Sequence, residues 1–292
     1  MAYEFKQGEK VRAGLRRIAV ERIDKAIATI EGARSPDASR KDVDAAVHDA
    51  RKRCKELRAL VRLVRPSFDA YQRENAEFRT AAQMLADLRD ATTVLEAFDA
   101  LVDQPDAERF APVRAALATE RTEEAADADE RLAGFLERMT DAGGRARKWT
   151  LGDRDFDAIG PGLEKTYAGC RDAMARARDE TTTDNLHEWR KRVKYNRSHL
   201  RLLRGLFKPV IEPVREQAKQ LSDLLGDEHD LAVLAGALRE SDADAELVDE
   251  LIAHAKQRRK ALRAEAFALG ARLYAQPPAD YARHAARLWR VR

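Results

Sequence analysis

Along this chain apolar residues recur at i, i+3, i+4 and i+7 in long blocks, and the blocks are separated by short clusters of Gly, Pro, Ser, Thr and Asp. That period is the mark of amphipathic helices, and the clusters are where helices stop. The breaks fall at 32–36, Pro66, Pro105, Gly143-Gly144, 160–162, 181–184, 205–209, Gly226, Ser241 and Pro277-Pro278. Between them the pattern predicts helices over 8–31, 41–65, 68–86, 88–102, 106–141, 162–179, 184–206, 210–225, 228–239, 242–274 and 279–290. The abundance of Ala, Leu, Arg, Glu and Asp favours helix over strand. The expected class is all-α.

The pattern is written twice. A word H-x-x-R-K-R-x-K-x-x-R runs from His48 to Arg58 and again, 139 residues on, from His187 to Arg197; Arg62 and Arg201 continue it by one turn. A second word, residues 84–90, aligns with residues 224–230 at an offset of 140. Tandem duplication predicts two helical bundles of about four long helices each, over 1–145 and 146–292, with a seam near Gly143-Gly144. Duplicated halves are expected to pack about a pseudo-two-fold axis, with the two basic helices facing a central cleft.

Composition adds a constraint on partners. The 292 residues are 44% hydrophobic, enough for a real core, and 36% charged, with a net charge of only +3. Residues 48–65 carry seven Lys/Arg against two acids and residues 187–208 eight against one; the rest of the chain therefore carries −9. Such segregation focuses a positive field on two helices and leaves ordinary solubility elsewhere. The two cysteines, Cys54 and Cys170, are too few and too far apart for a disulfide framework. The first ten residues lack an apolar signal region and no run reaches about 18 apolar residues, so a soluble, cytoplasmic protein is expected.

On a helical wheel His48, Arg51, Lys52, Lys55, Arg58 and Arg62 share one face, opposite Val47, Ala50, Cys54, Leu57, Leu60, Val61 and Val64. His187, Arg190, Lys191, Lys194, Arg197 and Arg201 repeat the stripe, opposite Trp189, Leu200 and Leu203. Each stripe extends about 21 Å, and like charges at i,i+3 and i,i+4 cost a few tenths of a kcal/mol per pair. A costly pattern kept twice points to a polyanion, and arginine offers phosphate a planar fork. Arg53 and Arg192 fall on the apolar side and read as structural. For the histidines heading each stripe, phosphate donor, metal ligand and satisfied core residue all remain open, with the donor role favoured; His199, His254 and His284 lie off the pattern. Asp227-Glu228-His229-Asp230, just after Gly226, reads as helix capping or pairing with arginines rather than as a metal site. No phosphate loop, H-E-x-x-H, C-x-x-C or G-x-S-x-G occurs, so no catalytic residue, metal or cofactor is assigned. Nucleic acid is disfavoured because Trp189 falls on the apolar side and only Tyr195 lies near a stripe edge; phosphoryl transfer is disfavoured because the stripes hold almost no acids for Mg²⁺.

With both words in place the chain resembles the CHAD family, the conserved histidine α-helical domain, over nearly its whole length. The stretch 224–234, Leu-Leu-Gly-Asp-Glu-His-Asp-Leu-Ala-Val-Leu, is similar to a second family pattern. The resemblance implies two four-helix bundles about a pseudo-two-fold axis and a basic central surface that binds inorganic polyphosphate, with association to polyphosphate granules. It further implies a binding module; that no catalysis, cofactor or membrane is expected rests on the motifs, acids and apolar runs considered above. Its ligand contacts would be the twelve stripe residues named above. The first repeat departs from the pattern, with Ala86 where the second has Gly226 and with Thr92-Thr93 where apolar residues are usual.

Overall fold

The computed structural model describes residues 3–35, 37–85, 90–102, 106–119 and 128–291. Part of the first copy of the second word, residues 86–89, lies outside them, as do Pro36, Pro105 and the acidic stretch 120–127; the side chains of Thr92 and Thr93 are likewise not described. The described residues form eleven α-helices and no strand: α1 (Val11–Ala33), α2 (Arg40–Leu63), α3 (Tyr71–Met84), α4 (Asp90–Leu101), α5 (Ala107–Thr119), α6 (Ala128–Ala146), α7 (Gly160–Asp179), α8 (Thr183–Leu202), α9 (Lys208–Glu240), α10 (Ala245–Leu273) and α11 (Pro278–Arg290). The protein is all-α.

The two basic helices start at side-chain caps. Ser39 and Asp42 form a reciprocal capping box at α2, and Thr182 accepts from the Asn185 amide at α8. Below the caps the wheel holds: Val47, Ala50, Cys54, Leu57, Leu60, Val61 and Val64 are all buried, as are Trp189, Leu200 and Leu203. Both cysteines are buried and free.

Two predicted boundaries are corrected. Gly226 does not break a helix; α9 runs through it from Lys208 to Glu240. Gly143-Gly144 lies inside α6, which continues to Ala146, so the irregular connection comes later, around residues 147–159. Of the helix predicted over 106–141, α5 and α6 are described, and residues 120–127 between them lie outside the described residues. At Gly226 glycine lets the Arg190 side chain approach, which its helix propensity does not report.

One core joins α1, α2, α3 and α6 around Leu15, Ile18, Leu57, Leu60, Phe78 and Phe135. Another joins α7, α8, α9 and α10 around Tyr167, Trp189, Val193, Leu221 and Leu225. A third unites α4 and α5 with the later part of α9 and with α10, through Phe98, Phe110, Val113, Leu234, Leu238 and Leu251. Helices from before residue 146 thus share apolar contacts with helices from after it.

What matters for the site is that α2 touches α7 and α8 directly. Gly162, in the first turn of α7, sits so close to the end of α2 that a Cβ there would come within 1.8 Å of the Leu63 carbonyl oxygen. Any side chain would force the two helices apart. His199 of α8, fully buried, donates from Nε2 to the Ala59 carbonyl at 2.9 Å, and burial lowers its pKa to about 3, so it is a neutral strut.

Candidate polyanion-binding site

Because α2 and α8 are neighbours, their cationic stripes adjoin. The Arg62 guanidinium lies over the Tyr195 ring, 4.2 Å from its centroid. Lys55 of α2 is close enough to Lys194 of α8 to help depress its pKa. Lys194 is the most perturbed cation of the site: burial first, then Arg190, Lys55 and Arg197, bring it to about 7, against the pull of Asp230. An ammonium in this position lacks enough negative charge around it.

The two stripes are braced differently. On the first, Arg58 and Arg62 donate to the single Asn75 carboxamide oxygen, at 3.4 and 3.1 Å, and Arg51 donates to the Leu85 carbonyl at 3.2 Å. For Arg58 and Arg62 this shared acceptor is neutral, so it holds the two guanidinium groups in place without cancelling their charge. Arg79 adds a further cation near Arg58. Lys52, Lys55 and His48 are exposed.

On the second stripe, α9 supplies carboxylates. Asp223 attracts Arg197, Asp227 lies by Arg190, and Asp230 lies by Lys194. Burial, then Asp230 and Asp223, push Asp227 above the usual carboxylate range. Lys191 pairs with Glu188 at 2.6 Å. Arg201 is committed to Glu56 at 2.9 Å, across the α2–α8 contact, and so serves as a tie between the helices. Glu56 is buried and also meets Arg22 and Arg53.

The continuous α9 explains Gly226. A Cβ at this position would stand 2.6 Å from Arg190 Nη2, so glycine lets the Arg190 guanidinium lie flat against the helix. Asp227-Glu228-His229-Asp230 is consequently mid-helix and caps nothing. Glu228, fully buried, pairs with Arg259 and Arg263 of α10, while His229 turns to the site: its ring centroid is 4.6 Å from that of His187. Burial lowers both histidines, and for His187 the next cause is His229 itself. In each ring Nδ1 is buried without a partner among the described residues.

The structure therefore gathers Lys55, Arg58, Arg62, Arg190, Lys194 and Arg197 around the α2–α8 contact, with His187 joined by His229. His48, at the opposite end of its stripe from Arg62, faces solvent. Asn75, Arg79 and His229 were not singled out from the repeat. Asn75 and Arg79 lie on α3, outside both copies of the word; His229 stands in a conspicuous acidic cluster, but its alignment across α8 depends on the uninterrupted course of α9.

The CHAD domain family matches residues 21–239, three quarters of the chain. The chain belongs to the CHAD domain family. No curated protein matches this CHAD domain. Within the matched span lie all of α2, α3 and α8, which carry the two stripes and Asn75. Among the described residues no helix is long and apolar enough to cross a membrane, and no group of three or more His, Cys, Asp or Glu is placed to hold a metal ion.

Proposed function

We propose that this CHAD domain binds inorganic polyphosphate, without processing it, in the basic zone where α2 and α8 meet. The observation that carries the reading is the contact of the two stripes: burial first, and then the cations Arg190 and Lys55 from the two helices, bring Lys194 to about 7. A linear chain of phosphates laid along this zone would relieve that repulsion at several places at once, with arginine forks on the non-bridging oxygens and histidines at the end of the second stripe. The same binding would recruit the protein to polyphosphate granules.

Nucleic acid fits less well. Trp189 is fully buried and the Tyr195 ring is covered by Arg62, so these two aromatics offer no platform for bases. A competition assay on a fluorescent polyphosphate separates the readings. Unlabelled polyphosphate should displace the probe at concentrations at least tenfold below those needed for DNA or RNA of equal charge; equal displacement contradicts the proposal. Incubation with Mg²⁺ should leave polyphosphate length unchanged on a gel, and shortening would assign an enzyme instead.

A further inference from the structure

The lysines around the second stripe are not alike. Lys191 is held by Glu188 at 2.6 Å, and on α9 Lys219 is held by Asp223 at 2.7 Å. The Lys194 amine has no hydrogen bond and no ion pair among the described residues; Asp230 attracts it without closing to ion-pair distance. Its side chain is partly buried. Arg190 and Arg197 flank it about one turn away on either side along α8, and Lys55 approaches from α2.

Burial first, then these cations, favour the neutral amine, and at about pH 7 roughly half of the molecules carry it. An exposed lysine, titrating near about 10.4, is neutral at that pH in fewer than about one molecule in a thousand. A desolvated lysine beside other cations is the arrangement that activates an amine as a nucleophile. The lower basicity weakens each attack, a loss smaller than the gain in neutral amine. The same surroundings select the electrophile. One phosphate brings about two negative charges to a place where Arg190, Arg197 and Lys55 are all positive, so it is attracted without restoring the proton on Lys194. A long polyphosphate brings many more and favours the ammonium.

We propose that Lys194 is a modification site for small acyl phosphates, which Arg190, Arg197 and Lys55 draw to its unpaired amine. The Nζ lone pair attacks the carbonyl carbon; the N–C bond forms as the C–O bond to phosphate breaks, and phosphate departs with that electron pair. The nitrogen gives up one proton, which the phosphate takes. The product is an uncharged amide. Such a side chain cannot regain the proton that bound polyphosphate favours, so acylation should lower polyphosphate affinity. This consequence, unlike the modification itself, rests on the function proposed above.

The test exposes the full chain to acetyl phosphate at about pH 7.5 and follows each lysine by peptide mass spectrometry. Lys194 should be acetylated about tenfold faster than the exposed Lys148 and Lys256. That preference should shrink several-fold when p-nitrophenyl acetate, which carries no phosphate, replaces acetyl phosphate, and also when inorganic phosphate competes. Equal rates at the three lysines, or the same preference with both reagents, overturn the proposal. The chain acetylated at Lys194 should bind fluorescent polyphosphate about tenfold more weakly, whereas acetyl phosphate should leave the affinity of Lys194→Arg unchanged. An equal loss in Lys194→Arg would place the effect on another lysine and contradict the proposed regulation. Should the untreated chain fail to bind polyphosphate, the function proposed above falls, while the acetylation rates still decide the site.

Discussion

Arg62 of α2 lies over the ring of Tyr195 of α8, 4.2 Å from its centroid, while its Nη2 donates to Asn75 at 3.1 Å. The first stripe is thus anchored on a residue of the helix that carries the second. A cation–π contact of this kind is worth about 0.5–2 kcal/mol, and here it also fixes where the guanidinium points. Tyr195→Phe, which keeps the ring, should leave polyphosphate affinity within about twofold. Tyr195→Leu should weaken it about three- to tenfold, as measured by fluorescence anisotropy. Equal affinity in both variants would mean that Arg62 is not held for the ligand.

Gly226→Ala separates stability from binding. In mid-helix the added methyl favours the helix by about 1 kcal/mol, but it collides with the end of Arg190, a flexible group able to swing away. The expected variant melts no lower than the wild type and binds polyphosphate more weakly. Unchanged affinity, measured beside an unchanged melting curve, would remove Arg190 from the contact set.

Glu56→Gln should act on the fold. This buried carboxylate meets Arg22, itself 2% exposed, as well as Arg53 and Arg201. Taking the charge from one partner of a buried set costs about 3–5 kcal/mol. Urea denaturation should show a loss of that order; a change below about 1 kcal/mol would contradict the role of Glu56 as the tie between α2 and α8.

How far these features were legible in the chain differs from helix to helix. The buried faces of α2 and α8 followed from periodicity because each has a single apolar side, and the stripes followed from what remained. The course of α9 did not: a glycine and a run of acids look like a helix end, and only the closeness of Arg190 shows why glycine stands there. Arg201 reads as a member of its stripe, yet it pairs with Glu56, a partner 145 residues away that no spacing rule connects to it. Likewise His199 has no place in the repeat, and its role depends on the Ala59 carbonyl facing it across the α2–α8 contact. Local pattern specifies which face of a helix is buried, whereas the partner across a tertiary contact is set by packing.

The pH dependence of binding follows from Lys194. In the unfolded chain this amine holds its proton up to about pH 10.4, and in the free folded protein only up to about 7. Between those values the unfolded state binds more protons, so this residue makes folding less favourable at low pH and the deficit fades as pH rises toward 10. Bound phosphate favours the ammonium, so the complex regains the proton. Calorimetry at about pH 8 in buffers of different ionisation heat should show uptake of roughly one proton on binding, and affinity should fall as pH rises from about 7 to 9. His187, also lowered when free by burial and then by His229, adds a further tightening at acidic pH. Binding without proton uptake at about pH 8 would place Lys194 outside the contact zone.

The central claim is that one polyphosphate chain engages both stripes, and the salt dependence of binding tests it most directly. Lys52→Glu on α2 and Lys191→Glu on α8 replace exposed cations and should leave the helical signal unchanged. Each alone should lower affinity by about tenfold and flatten the slope of log K against log salt concentration, and the double variant should flatten it further. A wild-type slope in either single variant, with affinity unchanged, would show that its stripe takes no part.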